Sequence, residues 1–137
     1  ARCRKPTLFP GVTELLAAID RKGLVWGIVT NKPQEFAEAI AASTPAMARC
    51  AIVVGSRPGV PLKPAPDGIL RALKELALKP EQTLYTGDDR RDIEAGKAAG
   101  TSTLLALWGY RPKDADTSLW APDFTASSPE DIIRLLP

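Results

Sequence analysis

Three carboxylates, Asp88, Asp89 and Asp92, fall within five positions where an apolar run, Thr83-Leu84-Tyr85-Thr86, meets Gly87 and gives way to a helical pattern. With ordinary pKa values of about 4, all three are ionised at neutral pH. An exposed i, i+4 pair such as Asp88 and Asp92 repels by only about 0.2–0.5 kcal/mol, and a helix N-terminus offsets about 0.3–1 kcal/mol. A purely structural cluster is therefore affordable, and Asp89 reads as the helix cap. Asp88 follows the strand directly, so its carboxylate is partly dehydrated and needs a partner. Magnesium suits that position, because it takes oxygen ligands, keeps several waters and needs only one or two carboxylates plus a phosphate. Spacing alone leaves metal binding and structure both open.

Two further positions carry polar groups of the same kind. Thr30 and Asn31 close the run Trp26-Gly27-Ile28-Val29. Thr30 is either a β-branched residue ending a strand or a hydroxyl donor, with the adjacent amide, for phosphoryl oxygens. Lys63 stands between Pro61 and Pro64, with Pro66 beyond. That spacing predicts a stiff, extended frame, which suits an ammonium held as a point charge over a phosphate. A lone loop lysine is more often simply solvated.

These residues need elements to position them. Periodicity predicts helices over 12–22, 31–43 and 67–76, one beginning near Asp89, and one in the tail opened by Ser128 and Pro129. In the second of these, Asn31 is the expected cap and Pro33 a first-turn residue. Continuous apolar runs predict strands over 24–30, 50–56, 82–87 and 101–109. Strand and helix in alternation, joined by short connections, make a parallel sheet with helices on both faces. Ligands then gather beyond the carboxyl ends of the strands, where Thr30, Asn31, Lys63 and the acidic cluster all fall. The one long irregular stretch, 110–123, with Tyr110 and Trp120, is a candidate for the entrance to the site.

Composition narrows the chemistry further. The 137 residues are one domain's worth, with 18 Lys and Arg against 16 Asp and Glu. Those charges are interspersed, so no basic block argues for nucleic acid. No run is long and apolar enough for a membrane span or a leader. With no histidine in the chain, imidazole acid–base chemistry, histidine triads and His-ligated zinc are excluded within it. Cys3 and Cys50 suggest neither a disulfide framework nor a zinc site, so reduced thiols in the cytoplasm are expected. A nucleotide-type phosphate loop fails on spacing, because Arg91 and Ala98 stand where its first Gly and its Ser or Thr belong. An EF-hand fails at Arg90.

Taken in order, Ile28-Val29-Thr30-Asn31-Lys32-Pro33, then Leu62-Lys63-Pro64-Ala65-Pro66-Asp67, then Tyr85 through Gly100, resemble motifs two, three and four of the haloacid dehalogenase (HAD) superfamily of phosphatases. The likeness is to its phosphoglycolate phosphatase and N-acetylmuramic acid 6-phosphate phosphatase branch, and it covers nearly the whole chain from Phe9 onward. The resemblance implies a Rossmann-like α/β core and a Mg²⁺-dependent phosphomonoester hydrolase acting on a small phosphorylated metabolite through an aspartyl-phosphate. It implies that Thr30 and Asn31 bind the phosphoryl group, that Lys63 neutralises it, that Asp88 holds Mg²⁺, and that Asp92 supports Lys63 or a metal-bound water. The family's first motif, Asp-x-Asp-Gly-Thr, occurs nowhere in the sequence. The expectation is thus a single incomplete core domain over 1–137, without the first, central strand, the nucleophilic aspartate or a cap domain, and inactive alone. The flanking strands are expected to close the gap by pairing directly, through a second copy of the chain, or with an N-terminal segment. The alternative is a noncatalytic Mg²⁺- or phosphate-binding module of this or a receiver-like fold.

Overall fold

The structure is a computed structural model that describes residues 8–109 and 117–137. Among these, α1 spans Val12–Arg21, β1 Ile28–Pro33, α2 Gln34–Ser43, β2 Val53–Ser56, α3 Asp67–Leu76, β3 Leu84–Gly87, α4 Arg90–Ala98, β4 Ser102–Ala106, β5 Phe124–Ala126 and α5 Pro129–Leu135. Every described strand pairing is parallel, as the alternating pattern predicts. β5 was not legible in the sequence. It is three residues long and follows directly on the stretch 110–123 read as irregular. Buried Thr103 holds this return of the chain, its N–H donating to Asp123 Oδ2 (2.7 Å) while its hydroxyl accepts from the Asp123 N–H (3.1 Å).

The strands form two sheets, β1-β2 and β3-β4-β5. Direct closure of the flanking strands is therefore not what the chain does: β1 and β3 share no ladder. Side chains bridge them instead. The Val29 carbonyl on β1 accepts from the Tyr85 hydroxyl on β3 (3.2 Å) and from Lys63 Nζ (3.2 Å), which satisfies a strand-edge group that would otherwise lack a partner.

Alternation along β3 divides the core. Leu84 packs with Leu15 of α1, Leu104, Ala126 and Ile132 of α5. Tyr85, its neighbour, packs with Ile69 and Leu73 of α3, Ala95 of α4 and Ala99 just past its end. Successive strand residues point to opposite faces, so helices cover both. Leu104 and Leu105 are fully buried, and each such side chain contributes about 1.5–3 kcal/mol. Among the described residues no helix is long and apolar enough to cross a membrane.

Two local readings are corrected. Asn31 does not cap α2, and Pro33 is not in its first turn: the strand runs on to Pro33, whose extended backbone (φ −53°, ψ 142°) precedes the helix at Gln34. A polar side chain ties the end of this stretch to β2. Gln34 acts as a strand partner to β2, its Nε2 donating to the Val53 carbonyl (2.8 Å) and its Oε1 accepting from Gly55 N–H (2.6 Å). On α2, Ala37 is buried, while Phe36 is 56% exposed beneath Lys32 Nζ, 5.4 Å from its ring centre. Tyr110, proposed at the entrance, lies outside the described residues. Trp120 ends a short 3-10 turn over Thr117–Trp120.

Candidate functional site

Thr30, Asn31, Lys63, Asp88 and Asp92 line one cleft, together with Lys32, Asp89 and Arg91. The sequence places these residues far apart. The parallel topology gathers them, because β1 and β3 both end at this edge.

Lys63 is fixed from two directions. Its own backbone is clamped by Asn31: the Lys63 N–H donates to Asn31 Oδ1 (3.0 Å), and Asn31 Nδ2 donates to the Lys63 carbonyl (3.3 Å). The carboxamide of Asn31 is thus occupied in holding the lysine loop. That loop is not extended, as the prolines suggested, but turns at Lys63–Pro64, a cis peptide, with Ala65 N–H donating to the Leu62 carbonyl (2.9 Å). At its other end Lys63 Nζ donates to Asp92 Oδ1 (2.6 Å), Tyr85 Oη (3.1 Å) and the Val29 carbonyl (3.2 Å). Burial alone would lower the ammonium's pKa, but Tyr85 and Asp92 outweigh it and hold it above the ordinary lysine value. Lys63 is a cation throughout the physiological range.

Asp92 is buried and fully engaged. Oδ1 accepts from Lys63, and Oδ2 accepts from the N–H groups of Asp88 (3.1 Å) and Asp89 (3.2 Å). One carboxylate therefore ties the lysine loop to the start of α4. Asp89 is the cap of α4, in a capping box with Asp92. Burial works to raise the Asp89 pKa, but Arg91, bridged at 2.7 Å, and the first-turn amides hold it below the ordinary aspartate range.

Two glycines make room for the acids. A Cβ on Gly87 would lie 2.2 Å from Asp92 Cβ, and one on Gly109, in the turn after β4, would lie 2.1 Å from Asp88 Cβ and 2.3 Å from its Oδ2. No side chain fits at either place. Gly109 thus shapes the space that the Asp88 carboxylate occupies.

Among the described residues no group of three or more Cys, Asp or Glu is arranged to hold a metal ion. Magnesium asks for less, namely one or two carboxylates completed by water and phosphate. Asp88, at the strand end in its glycine cradle, fits that role; Asp92 faces Lys63 and the α4 amides with both oxygens. Thr30 Oγ1 accepts from the Lys32 N–H (3.2 Å), which leaves the hydroxyl proton available for donation into the cleft. The arrangement can therefore neutralise and orient an oxyanion between a threonine hydroxyl and a lysine, with the Asp88 carboxylate beside them.

Sequence reasoning missed Lys32 and Arg91 on the rim, Tyr85 beneath Lys63, and Gly109. Tyr85 looked like an ordinary strand residue, and nothing local tied Gly109 to Asp88.

Residues 2–106 match the family model described as haloacid dehalogenase-like hydrolase. Among curated relatives, the chain is 38% identical over 128 residues to an N-acetylmuramic acid 6-phosphate phosphatase of Pseudomonas aeruginosa, covering 93% of this chain and 57% of that protein. It is 39% identical over 125 residues to a phosphoglycolate phosphatase of Xanthomonas campestris pv. campestris, covering 91% and 57%. A crystal structure of a predicted phosphoglycolate phosphatase from Haemophilus somnus 129PT superimposes with a TM-score of 0.87 at 26% identity, covering 97% of this chain and 59% of that one. The chain spans a little over half the length of these relatives. It belongs to the haloacid dehalogenase-like hydrolases.

Proposed function

We propose that this chain carries the phosphate- and magnesium-binding part of a phosphomonoester hydrolase, acting on a small phosphorylated metabolite of the phosphoglycolate or N-acetylmuramic acid 6-phosphate kind. The observation that carries this reading is the Lys63–Asp92 pair set beside Thr30 and Asp88 in one cleft. In the reaction, Lys63 and Thr30 bind the non-bridging phosphoryl oxygens and offset their charge. Asn31 keeps the lysine loop in register, and Asp92 holds the ammonium toward the site. Asp88 would hold Mg²⁺, which when bound supplies further charge neutralisation at the phosphate.

The covalent step needs a carboxylate nucleophile. It attacks phosphorus as the P–O ester bond breaks and the departing oxygen takes a proton from solvent; water then attacks the aspartyl-phosphate, returns a proton to solvent, and releases phosphate and the free carboxylate. No Asp-x-Asp-Gly-Thr stretch occurs in the 137 residues. We therefore place the nucleophile on a segment outside this chain that enters between β1 and β3, and read the chain as inactive without it. A second copy of the chain is the other candidate to occupy that seam, and a cytoplasmic location suits the substrates.

The test is phosphate release with Mg²⁺ from phosphoglycolate and from N-acetylmuramic acid 6-phosphate. The 137-residue chain alone should give none above background, and the chain extended by its natural upstream residues should turn over. Turnover by the 137 residues alone would refute the division of the site. No turnover by the extended chain, with phosphate still bound, would favour a noncatalytic binding module.

A further inference from the structure

An ammonium has three protons, and Lys63 has three acceptors for them inside the protein: Asp92 Oδ1 at 2.6 Å, Tyr85 Oη at 3.1 Å and the Val29 carbonyl at 3.2 Å. None of its donors is left for a ligand. Val29 precedes Thr30, so the acceptor carbonyl lies one residue before the part of β1, Thr30 to Lys32, that lines the cleft. Lys63 is drawn into the seam between the two sheets.

The three acceptors are not equally ready to yield. Asp92 is charged, lies closest, and is fastened by two backbone amides. The Val29 carbonyl has a second donor, because Tyr85 Oη donates to it (3.2 Å). If Lys63 leaves, that carbonyl remains satisfied. Tyr85 is the neutral acceptor, and its ring also lies under the ammonium at 5.7 Å. Moving Lys63 from Tyr85 to a phosphoryl oxygen thus exchanges a neutral acceptor for a charged one and orphans no buried group.

We propose that Tyr85 is a positioning residue that holds Lys63 withdrawn in the seam and competes with the phosphoryl group for it, so that Tyr85 sets the affinity of the site for phosphate. This rests on the proposed role of Lys63 in phosphate binding. Tyr85 lies outside the cleft lining and need not touch the ligand. Its hydroxyl secures the lysine when the site is empty and secures Val29 when the lysine moves out.

The experiment compares the wild-type chain with Tyr85→Phe, which keeps the ring and removes the hydroxyl. Inorganic phosphate is titrated calorimetrically in the presence of Mg²⁺, and the Lys63 ammonium is followed in proton–nitrogen spectra, assigned by its loss in Lys63→Met. Circular dichroism checks that both variants remain folded, and Tyr85→Leu stands in should the Phe variant fail that check. In Tyr85→Phe the proton that Tyr85 accepted is released to the ligand while Lys63 keeps its bond to the Val29 carbonyl, so phosphate binding should tighten by about tenfold, the scale of one hydrogen bond to a charged group. The Lys63 ammonium should exchange with water faster in Tyr85→Phe than in wild type. A purely structural Tyr85 would lower the melting temperature without tightening phosphate binding. Affinity in Tyr85→Phe equal to or weaker than wild type, with phosphate bound by both, overturns this inference and leaves the proposed function standing. No phosphate binding by either overturns both.

Discussion

Asp92→Asn, combined with Lys63→Met in a double-mutant cycle, probes the contact that joins the lysine loop to α4. Asp92 and Lys63 meet at 2.6 Å with side chains only 11% and 13% exposed. Removing one partner of such a buried pair costs about 3–5 kcal/mol, and because asparagine can still accept from the Asp88 and Asp89 amides the lower end applies, about 3 kcal/mol. Lys63→Met leaves a carboxylate that retains both amides, so its cost is smaller, about 2 kcal/mol. With neither charge present the desolvation penalty vanishes, and the double variant should be more stable than the sum of the singles by about 2 kcal/mol. Urea unfolding read by tryptophan fluorescence measures all four, since Trp26, Trp108 and Trp120 are distributed through the chain. With a slope of about 2 kcal/mol per molar, Asp92→Asn should lower the midpoint by about 1.5 M. A coupling energy below about 0.5 kcal/mol would show that the pair is solvent-screened and that the lysine loop does not depend on it.

Gly109→Ala should displace the Asp88 carboxylate and weaken Mg²⁺ binding by tenfold or more, about 1.4 kcal/mol, measured by calorimetry; unchanged affinity would remove Gly109 from the site. Asp89→Ala removes a cap, not a ligand, so it should cost about 1 kcal/mol of unfolding free energy and leave Mg²⁺ affinity unchanged. The Lys63 and Tyr85 pKa values both lie above their ordinary 10.5 and 10.0 in the folded chain. The folded state holds these protons more tightly than the unfolded one, so their stabilisation is complete below those values and disappears as pH rises through the folded ones. Unfolding free energy should fall above about pH 10, less steeply in Lys63→Met, as followed by denaturant titration across pH.

Much of this protein was legible before its tertiary structure. α3 occupies the predicted span, and the acidic cap at Asp89 opens α4 as its spacing required. These features are local, so nearby residues suffice to specify them. The order of apolar runs and helical stripes likewise specified a parallel α/β fold, because only that layering buries both patterns. β5 escaped notice because three residues carry too little periodicity, and its anchor, the Thr103–Asp123 pair, is long-range. Asn31 was misread for a related reason. Its local signal is that of a helix cap, but the tertiary structure offers it a better partner in the Lys63 backbone.

The residue types at the site, a threonine, a lysine and a set of aspartates, were set by the sequence itself, together with the chemistry they exclude for want of histidine. The tertiary structure supplied the surroundings of each aspartate, whose roles the sequence and its resemblance had only implied. Asp88 lies in the space left by Gly109, Asp92 turns both oxygens inward to Lys63 and the α4 amides, and Asp89 caps the helix. It also decided that β1 and β3 stay apart, with Tyr85 and Lys63 bridging to Val29 between them. The physical reason is that a carboxylate's role follows from the donors within about 3 Å of its oxygens, and those donors come from elements that only folding brings together.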